Sequence, residues 1–254
     1  MISFIGAGPG ASDLITLRGL KRLQQADLVV YAGSLIPQEL VDESAPNAQK
    51  INSVDLVLSE IMEIMIAAAH QGKKIVRLHS GDPSIYGAIG EQCRWLDQVG
   101  IDYEIIPGVP AFAAAAAALK RELTLPTISQ TVILTRTATR ASEMPSGEEL
   151  ASLAAHGGTL VIHLSINNLV AVLRDTMPHY GESAPVAVIY RATWPDELII
   201  RGTLQDIRAK VKEAGITRTA LVIIGRVLAD ENFPPSALYD PNHSHILREK
   251  RGDN

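Results

Sequence analysis

Three glycine-bearing turns each follow an apolar run, and each opens a stretch with helical spacing. They occupy residues 6–10 (GAGPG), 80–83 (SGDP) and 107–110 (PGVP). Glycine lets a backbone approach a ligand closely, and open α/β sheets bind their ligands at the edge where such turns gather. The three turns therefore predict a small-molecule enzyme.

The first turn matches the loose dinucleotide fingerprint G-x-G-x-x-G/A at Gly6, Gly8 and Ala11. A dinucleotide site also needs an acid at the end of the next strand. The next apolar run instead has its acid, Asp27, at its start, and Ala32 follows its end. No Walker lysine follows the loop. An oxidoreductase that binds nicotinamide or flavin, and a purely structural tight turn, remain as alternatives.

Metal, disulfide and hydrolytic chemistries have little support. Cys93 is the single cysteine, so neither an internal disulfide nor a cysteine metal cluster can form. His243 and His245 are spaced as metal ligands, but they lie in a polar tail without further ligands nearby. We expect no metal site and no Ser/His/Asp machinery, and no catalytic residue is assigned.

Charge and composition limit the partners. The formal net charge is −5, which argues against broad nucleic-acid binding. The N-terminal apolar run breaks at Gly6 before a secretory core could develop, and no run has membrane-spanning length. The amphipathic stretch 55–69 is expected to pack internally or at a dimer contact. These features predict a soluble cytoplasmic protein without a membrane partner.

The elements that position the turns alternate between strand and helix. In the first half, this alternation of short β-branched runs and helical patterns indicates βαβ units and a parallel sheet. The predicted strands are 2–6, 27–31, 74–79 and 102–106, and the predicted helices are 13–25, 55–69, 85–99 and 110–119.

The pattern changes after Glu122, where residues 124–129 predict an extended connection because a helix cannot easily continue through Pro126. Two successive strands around residues 194–197 predict a hairpin and hence a mixed second sheet. We predict domains at 1–122 and 123–228, with a loosely held tail at 229–254. The second domain's predicted strands are 131–135, 159–164, 185–190, 198–202 and 220–227, and its predicted helices are 147–156, 166–177 and 204–214.

In combination, several segments resemble the tetrapyrrole methylase family over roughly residues 2–228. The segments are GAGPG (6–10), DLITLRG (13–19), ADLVVY (26–31), GDPSIYG (81–87), IPGV (106–109), TLVI (159–162), PVAVIY (185–190) and ALVIIGR (220–226). Within the family, QTVILTR (130–136) and YRATWPDE (190–197) are most similar to the branch that methylates C11 of precorrin-4 in cobalamin biosynthesis.

The resemblance implies a two-domain α/β enzyme, a homodimer that binds S-adenosylmethionine in the cleft between its lobes. The residues carried over for the donor are Pro9, Ser80, Gly81, Asp82, Ile85, Pro110, Ala111, Leu164, Ala192, Ala220 and Leu221. Asp82 suits the positive end of the donor, while small apolar residues suit an adenine ring. Asp82 could also cap a helix that starts near Ile85, and the two roles are compatible.

A precorrin acceptor carries many carboxylates, which arginine binds with a bidentate geometry. Candidate acceptor residues are Arg18, Arg77, Arg136, Arg140, Arg191 and Tyr86. An exposed loop with solvated charges is an equal explanation for Arg140.

This chain departs from the family at two positions. Ala11 and Ala32 stand where several members have an acid. A general base taken from those relatives therefore has no counterpart here, which favours the later precorrin steps. A cobalt-bearing precorrin-4, another ring carbon and a non-catalytic tetrapyrrole binder remain as alternatives.

Overall fold

The computed structural model describes residues 1–138, 143–229 and 233–236. The chain divides into two compact units. Unit 1 comprises Met1–Ala118 together with Arg191–Glu197, and unit 2 comprises Leu119–Tyr190 with the described residues from Leu198 onward. The predicted domain boundary after Glu122 thus differs from the observed division, which falls after Ala118 and gives a seven-residue segment of the second half to unit 1.

Unit 1 is built on a five-stranded sheet with the order β3-β2-β4-β1-β5, in which every neighbouring pair is parallel. This confirms the predicted parallel sheet. Because all strands run the same way, the loops that follow them gather at one edge. The strands are β1 (Ile2–Gly6), β2 (Leu28–Tyr31), β3 (Gln49–Asn52), β4 (Ile75–His79) and β5 (Tyr103–Ile106).

Helices cover the sheet of unit 1, so its central strands are buried on both faces and read as continuous apolar runs. One face packs Val29, Val76 and Leu78 with Leu23 and Leu40. The other packs a second cluster around Phe4, Met62 and Met65. The helices are α1 (Leu17–Leu23), α2 (Gln38–Asp42), α3 (Leu58–His70), α4 (Ile89–Val99) and α5 (Ala111–Leu119).

Unit 2 contains a mixed five-stranded sheet with the order β6-β7-β10-β8-β9. β6 and β7 are parallel, while the other neighbours, including the β8–β9 hairpin, are antiparallel. Both the mixed sheet and the hairpin are therefore confirmed. The strands are β6 (Val132–Arg136), β7 (Thr159–His163), β8 (Pro185–Tyr190), β9 (Leu198–Thr203) and β10 (Ala220–Ile224).

The core of unit 2 lies between its sheet and three helices, with Leu160, Val188, Val222 and Leu204 fully buried. The helices are α6 (Leu150–Ala154), α7 (Leu169–Tyr180) and α8 (Ile207–Glu213). Among the described residues, no helix is long and apolar enough to cross a membrane.

Two helices of unit 1, α1 and α4, begin four residues later than predicted. α1 begins at Leu17 instead of near residue 13, because Thr16 is its N-cap and accepts a hydrogen bond from the Gly19 amide at 3.2 Å. α4 begins at Ile89 instead of near residue 85, because Tyr86 and Ala88 adopt left-handed conformations, with φ of +55° and +50°. Asp82 therefore does not cap this helix.

Candidate active site

The three glycine turns meet at the carboxyl ends of β4, β1 and β5, which are adjacent in the sheet. A Cβ atom built on Gly108 would lie 2.1 Å from the carbonyl oxygen of Gly81 and 2.7 Å from the Cα of Gly6. A Cβ atom on Gly6 would lie 2.5 Å from the backbone of Gly108. The glycines are required here because three backbones approach one another more closely than any side chain allows.

Hydrogen bonds join the first two turns. The Gly81 amide donates to the Gly8 carbonyl oxygen at 2.7 Å, and the Gly8 amide donates back to Gly81 at 3.2 Å. Both glycines have positive φ, +82° and +64°. This pairing fixes the 6–10 loop against the turn that contains Asp82.

Asp82 links the second turn to the third. Its Oδ2 accepts a hydrogen bond from the Gly108 amide at 2.8 Å, and its Oδ1 accepts from the Ser84 amide at 2.8 Å and from the Ser84 hydroxyl. Burial favours a higher pKa for this carboxyl, but the bonds from Ser84 and Gly108 outweigh it and lower the pKa below its ordinary value. Asp82 is therefore a carboxylate at neutral pH.

The predicted donor residues of the first half gather around this centre. Gly81 is close to the start of α5, since an added Cβ would lie 3.5 Å from the Ala111 amide nitrogen and 3.6 Å from the Pro110 Cα. Pro9 is buried, Ile85 is partly buried and Ser80 is exposed. The sheet edge of unit 1 thus offers backbone polar groups, one carboxylate and apolar side chains together.

The segment Arg191–Glu197 holds the first glycine loop from the opposite end of the sequence. Trp194 Nε1 donates to the Pro9 carbonyl oxygen at 3.0 Å, and the Ala11 amide donates to Thr193 Oγ1 at 2.9 Å. A Cβ atom on Gly10 would lie 2.3 Å from the indole of Trp194. Gly10 is therefore the residue that admits the indole.

This segment is itself held in an uncommon conformation. Arg191 and Thr193 have φ of +46° and +70°, and a β-branched residue such as Thr193 rarely adopts such an angle. The Thr193 amide donates to Glu197 Oε2 at 2.7 Å. Arg191 lies 4.0 Å from the ring centre of Trp194 and pairs with Asp196 at 3.0 Å, so the predicted acceptor residue Arg191 already has partners. Ala192, a predicted donor residue, is buried within the same segment.

In unit 2, the predicted donor residues lie at one edge of the sheet. Leu164 directly follows β7, is 65% exposed and has φ of +53°. β10 pairs antiparallel with β7, with Val222 opposite Ile162, so the start of β10, where Ala220 and Leu221 lie, is beside the end of β7 that Leu164 follows. Ala220 and Leu221 are both buried.

Polar side chains connect the ends of β6 and β7. The Thr137 amide donates to Ser165 Oγ at 2.8 Å, and Ser165 Oγ donates to the His163 carbonyl oxygen at 2.6 Å. Arg136 donates to the carbonyl oxygens of Thr137 and Glu143, so its guanidinium is partly engaged. Arg140, the other predicted acceptor arginine of this region, lies outside the described residues.

The remaining predicted acceptor residues lie in unit 1. Arg18 is exposed on α1, and Tyr86 is 45% exposed in the loop after Asp82. Arg77 and His79 are instead buried on β4, each 8% exposed. The parts of the chain that the structure describes contain no cluster of three or more metal-ligating side chains. His243 and His245 lie outside them.

A protein-family model matches most of this chain. The model for tetrapyrrole (corrin/porphyrin) methylases covers residues 1–208, and the matched range includes all three glycine turns and the segment that holds them. The chain belongs to the tetrapyrrole methylase family. The predicted family is therefore confirmed.

Two relatives and one solved structure define the position within the tetrapyrrole methylases. The chain is 51% identical to a precorrin-4 C(11)-methyltransferase of Pseudomonas aeruginosa, covering 97% of this chain and 98% of that protein. It is 49% identical to a cobalt-precorrin-4 C(11)-methyltransferase of Methanocaldococcus jannaschii, covering 98% and 96%. The solved structure of a cobalt precorrin-4 methyltransferase of cobalamin biosynthesis superimposes with a TM-score of 0.87 at 44% identity, covering 90% and 95%.

The sequence does not predict the partners of the first glycine loop in this tetrapyrrole methylase. The sequence predicts a hairpin around residues 194–197, and nothing in the spacing joins Trp194 or Thr193 to Pro9 and Ala11, more than 180 positions away. Gly10 carried a usable signal, because a third glycine in a short loop indicates that something large packs against it.

Proposed function

We propose that this chain is an S-adenosylmethionine-dependent methyltransferase that acts on C11 of precorrin-4 and gives precorrin-5 in cobalamin biosynthesis. The observation that carries the proposal is the 51% identity with the Pseudomonas aeruginosa precorrin-4 C(11)-methyltransferase, which extends over nearly the whole of both chains. Cobalt-precorrin-4 is the second candidate substrate, because the Methanocaldococcus jannaschii relative is named for it at 49% identity.

The methyl donor binds at the meeting point of the glycine turns in unit 1. A sulfonium donor is positively charged, and Asp82 supplies a carboxylate whose pKa is already lowered. Each carboxylate oxygen has two lone-pair sites, so Asp82 can accept a further hydrogen bond beside those from Ser84 and Gly108. The proposed contacts in unit 1 are Pro9, Ser80, Gly81, Asp82, Ile85, Pro110, Ala111 and Ala192. Leu164, Ala220 and Leu221 of unit 2 stay predictions from the sequence.

Methyl transfer from a sulfonium requires geometry more than it requires reactive side chains. An electron-rich ring carbon of the acceptor attacks the donor methyl group in line, so the new C–C bond forms as the S–CH3 bond breaks. S-adenosylhomocysteine leaves with the electron pair of that bond, and the acceptor then loses a proton. Orienting two reactants can lower the activation free energy by roughly 7–11 kcal/mol. The rigid backbone contacts among Gly6, Gly81 and Gly108 suit this task, and no catalytic side chain is assigned.

The acceptor contacts proposed from the sequence are Arg18, Tyr86, Arg136, Arg140 and Arg191. Arg18 on α1 and Tyr86 in the loop after Asp82 are both exposed in unit 1. Arg191 is already paired with Asp196 and stacked on Trp194, so an acceptor carboxylate would have to share it.

We further propose that the enzyme is a homodimer that works in the cytoplasm without a nucleic-acid partner. The net charge of −5 supports the last point, since a phosphate backbone repels an acidic protein. Light scattering after size exclusion tests the dimer directly, and a monomer at micromolar concentration would contradict it.

Calorimetry tests the proposed class of enzyme. We expect saturable binding of S-adenosylhomocysteine and none of NADH or FAD. Binding of a nicotinamide or flavin cofactor without adenosylhomocysteine would instead identify an oxidoreductase. Initial rates with precorrin-4 and with cobalt-precorrin-4 then decide between the two acceptors.

A further inference from the structure

Arg77 is a buried arginine in the middle of the parallel sheet of unit 1. It lies on β4, opposite Phe4 of β1 and Val30 of β2, and it is 8% exposed. Alternation along the strand sets it on the same face as Ile75 and His79. Arginine is rarely buried to this extent unless it is paired with an acidic group.

The single side-chain partner of Arg77 within the described residues is neutral. Arg77 Nη1 donates to Ser53 Oγ at 3.0 Å, and Ser53 Oγ in turn donates to the Tyr31 carbonyl oxygen at 3.1 Å. Arg77 Nε is buried without a hydrogen-bond partner. Among the residues that the structure describes, no carboxylate lies within ion-pair distance of this guanidinium.

The unused side of Arg77 is the one that binds carboxylates elsewhere in this chain. Arg22 contacts the two carboxylate oxygens of Glu104 through Nε at 2.6 Å and Nη2 at 3.4 Å. Arg174 contacts Asp175 through the same two atoms, at 2.6 and 3.1 Å. In Arg77 the contact with Ser53 uses Nη1, which leaves the Nε–Nη2 side directed at no described acceptor.

The surroundings preserve a single positive charge. Burial lowers the pKa of Arg77 to about 10, so the guanidinium is still protonated at neutral pH. Burial and the Arg77 charge lower the pKa of His79 to about 3, so His79 is neutral. A bound anion would therefore meet one uncompensated cation.

Such a cation is costly for folding. A buried charge without a counter-ion is strongly unfavourable, and apolar residues of similar size often replace buried charges at no cost or with a gain in stability. Arg77 also extends toward the carboxyl edge of the sheet, since Ser53 directly follows β3. That is the edge where the glycine turns gather.

We propose that Arg77 binds one carboxylate of the tetrapyrrole acceptor through its Nε–Nη2 side, with Ser53 holding the guanidinium in place. The inference rests on the proposed function for its ligand, and it adds a subsite within unit 1. Arg77 is in this view a specificity-determining residue that selects acceptors carrying a carboxylate at this position.

The test compares Arg77→Met and Arg77→Lys with the wild type. Methionine removes the charge at similar length, whereas lysine keeps the charge and loses the two-pronged geometry. We expect KM for precorrin-4 to rise about tenfold or more in Arg77→Met and by less in Arg77→Lys, as for loss of a hydrogen bond to a charged group. KM for S-adenosylmethionine should not change, and the melting temperature of Arg77→Met should equal or exceed that of the wild type. Arg174→Met, which removes an exposed arginine, is the control.

A binding titration with uroporphyrin, a carboxylate-bearing tetrapyrrole, reads the subsite without turnover and so separates this inference from the proposed reaction. Tighter binding to the wild type than to Arg77→Met supports the subsite even if precorrin-4 is not methylated. Equal acceptor affinity in both proteins would overturn it. A fall in melting temperature with parallel increases in both KM values would show a structural role, and so would the failure of both variants to fold.

Discussion

The indole Nε1–H of Trp194 donates a hydrogen bond to the carbonyl oxygen of Pro9 at 3.0 Å, across 185 positions of sequence. Pro9 lies in the loop proposed to contact the methyl donor, and Trp194 lies in the segment Arg191–Glu197, which belongs to the same compact unit. The position of the donor loop therefore depends on a residue from the second half of the chain.

Trp194→Phe removes that hydrogen bond and keeps most of the ring. Because one neutral hydrogen bond contributes about 1 kcal/mol, we expect KM for S-adenosylmethionine to rise about fivefold, with kcat within about twofold of the wild type. Steady-state kinetics measure both constants. Trp95→Phe, on α4 of the same unit, is the matched control. An unchanged KM for the donor would contradict the role given to Trp194.

Asp82→Asn tests the carboxylate that joins the glycine turns. An amide has one acceptor oxygen, so its NH2 group must face either the Ser84 amide or the Gly108 amide, both of which are donors. We expect affinity for S-adenosylhomocysteine to fall about tenfold and the free energy of unfolding to fall by about 1–3 kcal/mol. Ser84→Ala, which leaves both backbone donors in place, should have the smaller effect. Unaltered affinity in calorimetry would remove Asp82 from the donor site.

The contribution of Asp82 to the free energy of unfolding should depend on pH. The pKa of Asp82 is lowered in the folded protein, so its contribution to stability is fully present above the ordinary value of 3.8 and is lost as the pH falls through the lower folded value. Glu104 and Asp206 also have lowered pKa values, so the readout is the difference between wild type and Asp82→Asn. In urea unfolding from about pH 6 to about pH 3, this difference should shrink at the acid end. A constant difference would contradict the assignment.

Gly108→Ala tests the close approach of the three turns. The new methyl group would meet backbone atoms of Gly81 and Gly6 at 2.1 and 2.7 Å, and neither backbone can move without breaking the sheet edge. We expect a loss of about 3 kcal/mol or more in the free energy of unfolding. Gly90→Ala is the control, because nothing lies within 4 Å of its added Cβ and it is in α4. That variant should gain about 0.5–1 kcal/mol. Similar losses in both variants would argue against the packing described.

Ser165→Ala tests the link between the ends of β6 and β7. Ser165 is 1% exposed, and its hydroxyl accepts from the Thr137 amide. Removing it leaves a buried amide unpaired, which should cost about 1–3 kcal/mol in the free energy of unfolding. The exposed Ser34→Ala should be neutral. Chemical denaturation measures both, and a neutral Ser165→Ala would show that the Thr137 amide finds another partner.

The strands of the parallel sheet were largely predictable, because β1, β2 and β4 are fully buried and read as apolar runs. β3 was not predictable. It is the edge strand of the sheet, and three of its four residues, QKIN, are exposed, so they give no periodic signal. The turns of the site were recognisable from their glycines. The hydrogen bonds that join the turns, Asp82–Gly108 and Trp194–Pro9, were not predictable from the sequence. They depend on the order of the strands in the sheet and on a segment of the second half that packs against the first glycine loop.

We propose that this tetrapyrrole methylase places a methyl group on C11 of precorrin-4. Incubation with precorrin-4 and S-adenosylmethionine labelled with 13C at the methyl group, followed by mass spectrometry and NMR of the product, tests it most directly. We expect a mass gain of one labelled methyl group and a carbon–carbon coupling to C11. Coupling to a different ring carbon, or no incorporation with either the metal-free or the cobalt-bearing acceptor, would contradict it.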